Sequence, residues 1–268
     1  MDTKKGSPRT KALAGLLLVL LFMTGCTNTP STITAKPVEL TVCAGVGLTD
    51  AIKEINTLYM QENKNITIVA NFAAAGTLQE QIEQGAPADV FFSPGISQMD
   101  ALQEGGLIID ETRRDLLNNK IVLVVPINST LDITGFMDLL NEDVAHVAIG
   151  DPEFVPAGTY GIQALDAYGI TEQLQPKLIL CNDVRQVLSY VESGNVEAGI
   201  VYATDAVITD NVKIVAEAPD EVNRKIAFVG AVIKSSKNVE AAKAYIAFLS
   251  SDKASTIFEK YGFSVVNN

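Results

Sequence analysis

Asn71-Phe-Ala-Ala-Ala-Gly-Thr-Leu-Gln-Glu-Gln-Ile-Glu-Gln-Gly-Ala-Pro-Ala-Asp-Val-Phe-Phe-Ser-Pro94 is the stretch that decides the fold. It reads as a strand end, a turn of small residues, a short helix and then a second, apolar strand. Strand, helix and strand in that order form the unit of α/β sheets. A helix that opens on bare backbone N–H groups at a sheet's carboxyl edge is also a place where an anion can sit.

The same alternation extends in both directions. Upstream, 38–44 reads as a strand and 48–61 as an amphipathic helix carrying Leu48, Ile52, Ile55 and Leu58. Downstream, apolar runs at 121–126, 144–150, 178–181, 198–202, 213–217 and 227–233 read as strands. Helical segments are expected at 96–104, 136–140, 160–168, 184–193 and 239–250, with 253–261 following the last. This order predicts an α/β protein with mostly parallel sheets. The polar segment within 105–119 looks like a boundary between two units.

The chain has 268 residues, of which 47% are hydrophobic and 19% charged, a globular composition. Its formal net charge of −12 argues against nucleic acid and against passive adsorption on anionic lipid. It would also repel an anionic ligand at long range, so an anion site must act locally, through oriented dipoles. The start of the chain is set apart. Lys4, Lys5, Arg9 and Lys11 precede an apolar run over 12–23 that is short for a membrane span and fits a signal peptide. That run ends in Thr24-Gly25-Cys26, which resembles the lipidation site of bacterial lipoproteins. Residues 1–25 are therefore expected to be removed, with Cys26 lipidated and 26–37 a flexible tether rich in Thr, Ser and Pro. Without residues 1–25, which hold four basic groups and one acidic group, the charge is −15. Cys43 and Cys181 sit in apolar runs and read as buried thiols, although an exported chain could pair them.

Four turns open helices with small or capping residues. Gly45-Val46-Gly47-Leu48-Thr49-Asp50 has two glycines of a dinucleotide fingerprint, but Asp50 occupies the place of the third. No acidic residue closes the next strand either, so that reading fails. Ala73-Ala74-Ala75-Gly76-Thr77 is the second turn, with Thr77 expected as the cap; 150–160 is the third, held by Pro156; Cys181-Asn182-Asp183-Val184-Arg185 is the fourth. Each alone fits an ordinary strand–helix turn as well as a ligand site. Asp183 is expected to cap its helix, and Arg185 to be solvated or, less simply, a counter-charge. Tyr202, at the end of a buried strand, either presents its hydroxyl to a cleft or packs under a loop. No catalytic constellation is legible: His146 is the one histidine and reads as structural or exposed, and there is no zinc pattern, nucleophile elbow or Walker loop. The chain reads as a non-enzyme without a cofactor.

Taken together, these segments resemble the periplasmic molybdate-binding protein family of ABC importers. The matching text includes Leu48-Thr49-Asp50-Ala51, Gly76-Thr77-Leu78, Gln84-Gly85-Ala86-Pro87-Ala88-Asp89-Val90-Phe91, Gly150-Asp151-Pro152, Pro156-Ala157-Gly158-Thr159-Tyr160, Val184-Arg185-Gln186 and Gly199-Ile200-Val201-Tyr202. The resemblance implies a two-lobed, type II periplasmic-binding-protein fold. Each lobe would be a mainly parallel sheet flanked by helices, with the ligand in the cleft between them. Lobe one is expected over 38–118 plus 229–268 and lobe two over 119–228. It also implies a monomer held at the extracytoplasmic face of the cell membrane by its lipid, delivering molybdate or tungstate to ABC permease subunits. Carried over by motif, the ligand positions are Gly47, Ala75, Ala157, Val184 and Tyr202. The family usually has serine where this chain has Gly47 and Ala75. Each lost hydroxyl removes a hydrogen bond to a charged partner, roughly 1.5–3 kcal/mol if nothing replaces it. A receptor of the same fold for a different small anion or organic solute is the alternative that this departure opens.

Overall fold

The computed structural model describes residues 1–3 and 36–266. The expected signal peptide, the tether and Cys26 lie outside the described residues, apart from 1–3 and the last two tether positions. Residues 36–266 belong to one compact unit. The chain first lays down β1 (Val38–Gly45), α1 (Thr49–Glu62), β2 (Ile66–Ala73), α2 (Ala75–Glu83), β3 (Val90–Ser93), α3 (Ile96–Glu104) and β4 (Arg114–Asn118). It then crosses to β5 (Ile121–Pro126), β6 (Val147–Gly150), α4 (Pro156–Ala167), α5 (Thr171–Leu174), β7 (Leu178–Cys181), α6 (Val184–Glu192), β8 (Ala198–Tyr202), α7 (Ala203–Ala206), β9 (Val212–Glu217) and α8 (Asp220–Asn223). It returns with β10 (Ala227–Val232), α9 (Val239–Leu249), α10 (Asp252–Lys260) and β11 (Ser264–Val265).

Two sheets result, ordered β11-β4-β10-β3-β1-β2 and β7-β6-β8-β5-β9. Both are mixed rather than mainly parallel. β1 pairs parallel with β2 and β3, whereas β10 is antiparallel to β3 and β4. In the second sheet β6 is parallel to β7 and β8, and β5 is antiparallel to β8 and β9. Among the antiparallel strands, β4, β5, β9 and β10 flank the two crossings between sheets, and β11 pairs antiparallel with β4.

Strand alternation divides the first lobe's core between two helical layers. Val42, Ala44 and Phe92 pack in the layer that holds Ile52, Ile55 and Tyr59 of α1 and Tyr245 of α9. Cys43 and Phe91, paired in register and pointing the other way, pack with Leu78 and Ile82 of α2 and Met99 and Leu102 of α3. Cys43 and Cys181 are both buried free thiols, and burial raises the pKa of each, that of Cys181 to about 11. The fully apolar run of β5, Ile121 to Val125, is buried because β8 and β9 make it an interior strand and α4, α6 and α7 pack against it.

The segment over 105–119 is not a linker. Its Arg114–Asn118 stretch is β4, inside the first sheet between β10 and β11. Leu116 and Leu117 are buried while Arg114 and Asp115 are exposed, so the strand carries charge near the sheet's edge. Only Asn119 and Lys120 separate β4 from β5. Side chains brace this crossing to the second one. Asn119 Nδ2 donates to Thr204 Oγ1 at 2.8 Å. The Ile121 N–H donates to Asn223 Oδ1 at 2.9 Å, and Asn223 Nδ2 donates to the Ala218 carbonyl at 2.9 Å.

Candidate functional site

The turns at the carboxyl ends of β1, β2, β6, β7 and β8 converge on one cleft between the two sheets. Gly47, Ala75, Ala157, Val184 and Tyr202 all line it, with Pro94, Val155 and Pro156 among their neighbours. The space not filled by atoms there is about 280 Å³, counting what opens to solvent. No lysine, arginine or histidine lines the cleft.

Its donors are backbone groups. Ala75 begins α2, Ala157 follows the N-terminal Pro156 of α4, Val184 begins α6, and Gly47 lies in a single 3₁₀ turn just before α1. The first N–H groups of a helix have no partner within it. Among the described residues, none of these four N–H groups donates to another group of the protein. Pro156 suits the first position of α4 because it has no N–H to satisfy. Asp183 caps α6 as expected, accepting from the Gln186 N–H at 2.9 Å, while Gln186 Oε1 accepts from the Asn182 N–H at 2.7 Å. The expected cap by Thr77 is not formed. Ala74 is the N-cap of α2, with no side-chain hydrogen bond, and Thr77 lies inside the first turn. The helix starts two residues earlier than its polar residue suggested because three small residues let the chain turn directly.

Tyr202 is fully buried at the end of β8, and burial holds its hydroxyl far above the ordinary phenol pKa, so it remains a donor. That hydroxyl donates across the cleft to the Pro94 carbonyl at 2.8 Å. A second cross-cleft bond runs from the Gly76 N–H to the Phe154 carbonyl at 2.9 Å.

Arg185 is neither solvated nor free. Its guanidinium reaches across the cleft rim to Asp50 Oδ2 of α1 at 2.8 Å, and its Nε lies 3.1 Å from Asp205 Oδ1. Asp205, which the sequence did not single out, is wholly buried on α7. The Arg185 approach is off-axis, and neither Asp205 oxygen accepts an aligned hydrogen bond. Burial raises the Asp205 pKa to about 6, against the lowering effect of Arg185. A Cβ on Gly47 would lie 3.3 Å from Asp205 Oδ1, so the carboxylate sits directly behind this part of the cleft wall. The one signal for Asp205 was an acidic residue placed among Ala203, Thr204 and Ala206 at a buried strand end. His146 is exposed just before β6 and lies outside the cleft lining. Among the described residues, no cluster of three or more His, Cys, Asp or Glu side chains is placed to hold a metal ion. None of the described helices is long and apolar enough to cross a membrane.

Comparison with known proteins agrees with this geometry. The model of a family described as bacterial extracellular solute-binding protein matches residues 40–264. The chain is 41% identical to the ABC transporter substrate-binding lipoprotein YvgL of Bacillus subtilis, over 92% of this chain and 95% of that one. It is 39% identical to the molybdate-binding protein of Escherichia coli, over 85% of this chain and 89% of that one. Among solved structures, the substrate-binding domain of a molybdenum ABC transporter from Clostridium difficile is 38% identical, with a TM-score of 0.67 over 85% of this chain and 99% of that one. The periplasmic molybdate-binding protein of Azotobacter vinelandii shares the fold, with a TM-score of 0.75 at 22% identity over 85% of this chain and all of that one.

Proposed function

The chain belongs to the bacterial extracellular solute-binding proteins of the molybdate-binding ABC importer family, and from that premise we propose that it captures a molybdate-like tetrahedral oxyanion for an ABC permease. The ligand positions are Gly47, Ala75, Ala157, Val184 and Tyr202. The observation that carries the reading is their meeting in one small cleft, where four backbone N–H groups have no protein partner and no cation is present.

A set of donors without acceptors satisfies a fully ionised oxyanion and leaves a ligand O–H unpaired. Molybdate and tungstate lack such a proton at neutral pH, whereas phosphate always carries at least one. Helix N-termini supply the positive potential that an acidic protein otherwise lacks. Tyr202 donates to the Pro94 carbonyl, so its use as a ligand donor requires that proton to turn to the anion. Closure of lobe two (119–228) on lobe one (38–118 plus 229–268) would signal the loaded state to the permease, because the ligand favours the conformation in which both lobes donate. Removal of 1–25 and lipidation of Cys26 would hold the protein, as a monomer, at the outer face of the membrane. The lipoprotein character named for the Bacillus subtilis relative supports this anchoring.

Thermal melting with molybdate, tungstate, sulfate and phosphate tests the reading. A saturable rise with molybdate and tungstate alone is expected, and 100-fold excess over Kd stabilises by about 2.7 kcal/mol. Ala157→Asp, which places a carboxylate at an opening turn, should abolish that rise. No rise with any oxyanion in the unmodified protein would sink the assignment.

A further inference from the structure

We propose that Gly76 sets the closest approach of the two lobes and thereby restricts the cleft to a single-centre oxyanion; this rests on the oxyanion reading above. Gly76 is the second residue of α2, on the first lobe. Phe154 lies in the loop between β6 and α4, on the second. Their backbones meet directly, N–H to carbonyl, at 2.9 Å. A Cβ on Gly76 would fall 2.7 Å from Phe154 Cα and 2.8 Å from its carbonyl oxygen. Both are backbone atoms, so no side-chain rotation relieves the clash.

The Phe154 loop is held on its own lobe. The N–H groups of Phe154 and Val155 donate to the Asp151 carbonyl, and the Asp151 N–H donates to the Cys181 carbonyl at 2.8 Å. Thr159 Oγ1 donates to the Pro152 carbonyl at 2.9 Å. The relief available is therefore a separation of the lobes. Ordinary Cβ contacts begin near 3.4 Å, so the two backbones would have to part by about 0.7 Å at this point. A Cβ on Gly95 would also lie 2.8 Å from Cβ and Cγ of Pro156 on the opposite lobe, although Gln98 Oε1 of its own lobe would be nearer still.

Local structure gives no reason for glycine at position 76. Its φ is not positive, and a helical alanine is about 1 kcal/mol more favourable than glycine. The glycine is explained by the cross-lobe contact. With the lobes at this distance, the donors of Gly47 and Ala75 face those of Ala157, Val184 and Tyr202 across about 280 Å³. A hydrogen bond needs about 2.7–3.2 Å between heavy atoms, so a wider cleft leaves one lobe's donors out of reach of a small anion.

The test is Gly76→Ala in the full chain, with molybdate as the probe. Melting should stay level or rise, because alanine suits the helix. Molybdate affinity should fall at least tenfold, mainly through faster dissociation, because capture by one open lobe is unchanged and closure is lost. Gly95→Ala should weaken molybdate binding less, since the atoms that its Cβ meets belong to side chains, and should lower melting slightly, because Gly95 is the N-cap of α3. Unchanged molybdate affinity in a stable Gly76→Ala protein would overturn the proposal. If the unmodified protein binds no molybdate, the oxyanion reading fails, and the lobe distance is then decided by spin labels on the two lobes without ligand. A closed population present in the unmodified protein and lost in Gly76→Ala would uphold the role of Gly76, and identical distance distributions would refute it.

Discussion

Asp205 shows how one residue can work against the fold that contains it. A carboxylate with no aligned hydrogen bond, wholly removed from water, prefers its neutral form, and the off-axis Arg185 offsets only part of that cost. Its pKa of about 6 lies above the ordinary value of 3.8. The sign follows from linkage: with the folded pKa raised, its contribution to stability is fully present below about pH 3.8 and is lost as pH rises through about 6. Asp205→Asn removes the titrating group and leaves Arg185 paired with Asp50. The variant should match the parent near pH 4 and exceed it at pH 7.5 by on the order of 2–3 kcal/mol. Denaturant titrations of both proteins at the two pH values check this. An equal difference at both would mean that Arg185 satisfies the carboxylate fully. Beyond its apolar neighbours in the sequence, nothing marked this residue, because it is enclosed by the Gly47 turn and by Arg185 of α6, which arrive from about 160 and 20 residues away.

At the scale of elements, the sequence was most legible where a local rule has little competition. The N-cap of α6 is such a case: Asp183 was expected to cap and does, and Gln186 Oε1 accepts from the Asn182 N–H one residue earlier. Asp183→Ala should therefore cost about 1 kcal/mol, which lowers Tm by roughly 2–4 °C in a domain of this size. Asp183→Asn should keep the cap and the Tm; a calorimetric loss as large as that of alanine would show that charge, not capping, is what Asp183 supplies. Legibility ended where tertiary pairing overrides local character. Arg114-Asp115-Leu116-Leu117-Asn118 looked like a polar boundary and is a strand, because β10 and β11 supply its hydrogen bonds from more than a hundred residues away. Thr77 looked like a cap and is not, because Ala73-Ala74-Ala75 turn without help. The five candidate positions were reached through a resemblance of motifs, and the cleft brings them together. The cross-lobe partners Pro94, Phe154 and Asp50 were invisible, since each meets its counterpart only when the two sheets face each other.

Three polar contacts of different strength span the cleft between the two sheets, beside the Asn119–Thr204 bond at the crossing and the packing of Tyr202 on Phe228. Two are hydrogen bonds to carbonyls, from Tyr202 and Gly76, and the third is the half-exposed ion pair between Asp50 and Arg185. Around them the net charge is −12, and the charged groups grouped at the cleft, Asp50, Asp183, Arg185 and Asp205, sum to two negative charges when all are ionised. A dianion thus approaches against the protein's field and is held only by dipoles that act within a few ångströms. Salt screens the first effect far more than the second, because the Debye length shrinks to about 8 Å at physiological ionic strength. The molybdate association rate should therefore rise with salt, by roughly two- to fivefold between 20 and 200 mM, where a cation-lined site would show a fall. Asp50→Asn separates the two contributions. It removes one repelling charge, which should raise the association rate at low salt. It also removes the cross-lobe pair, which at about 0.2–1 kcal/mol should speed dissociation by no more than about fivefold. Stopped-flow titration of both proteins across that range of salt decides the matter. A rate that falls with salt in the unmodified protein would mean that the converging helix ends outweigh its net charge even at a distance, and that capture is steered rather than opposed.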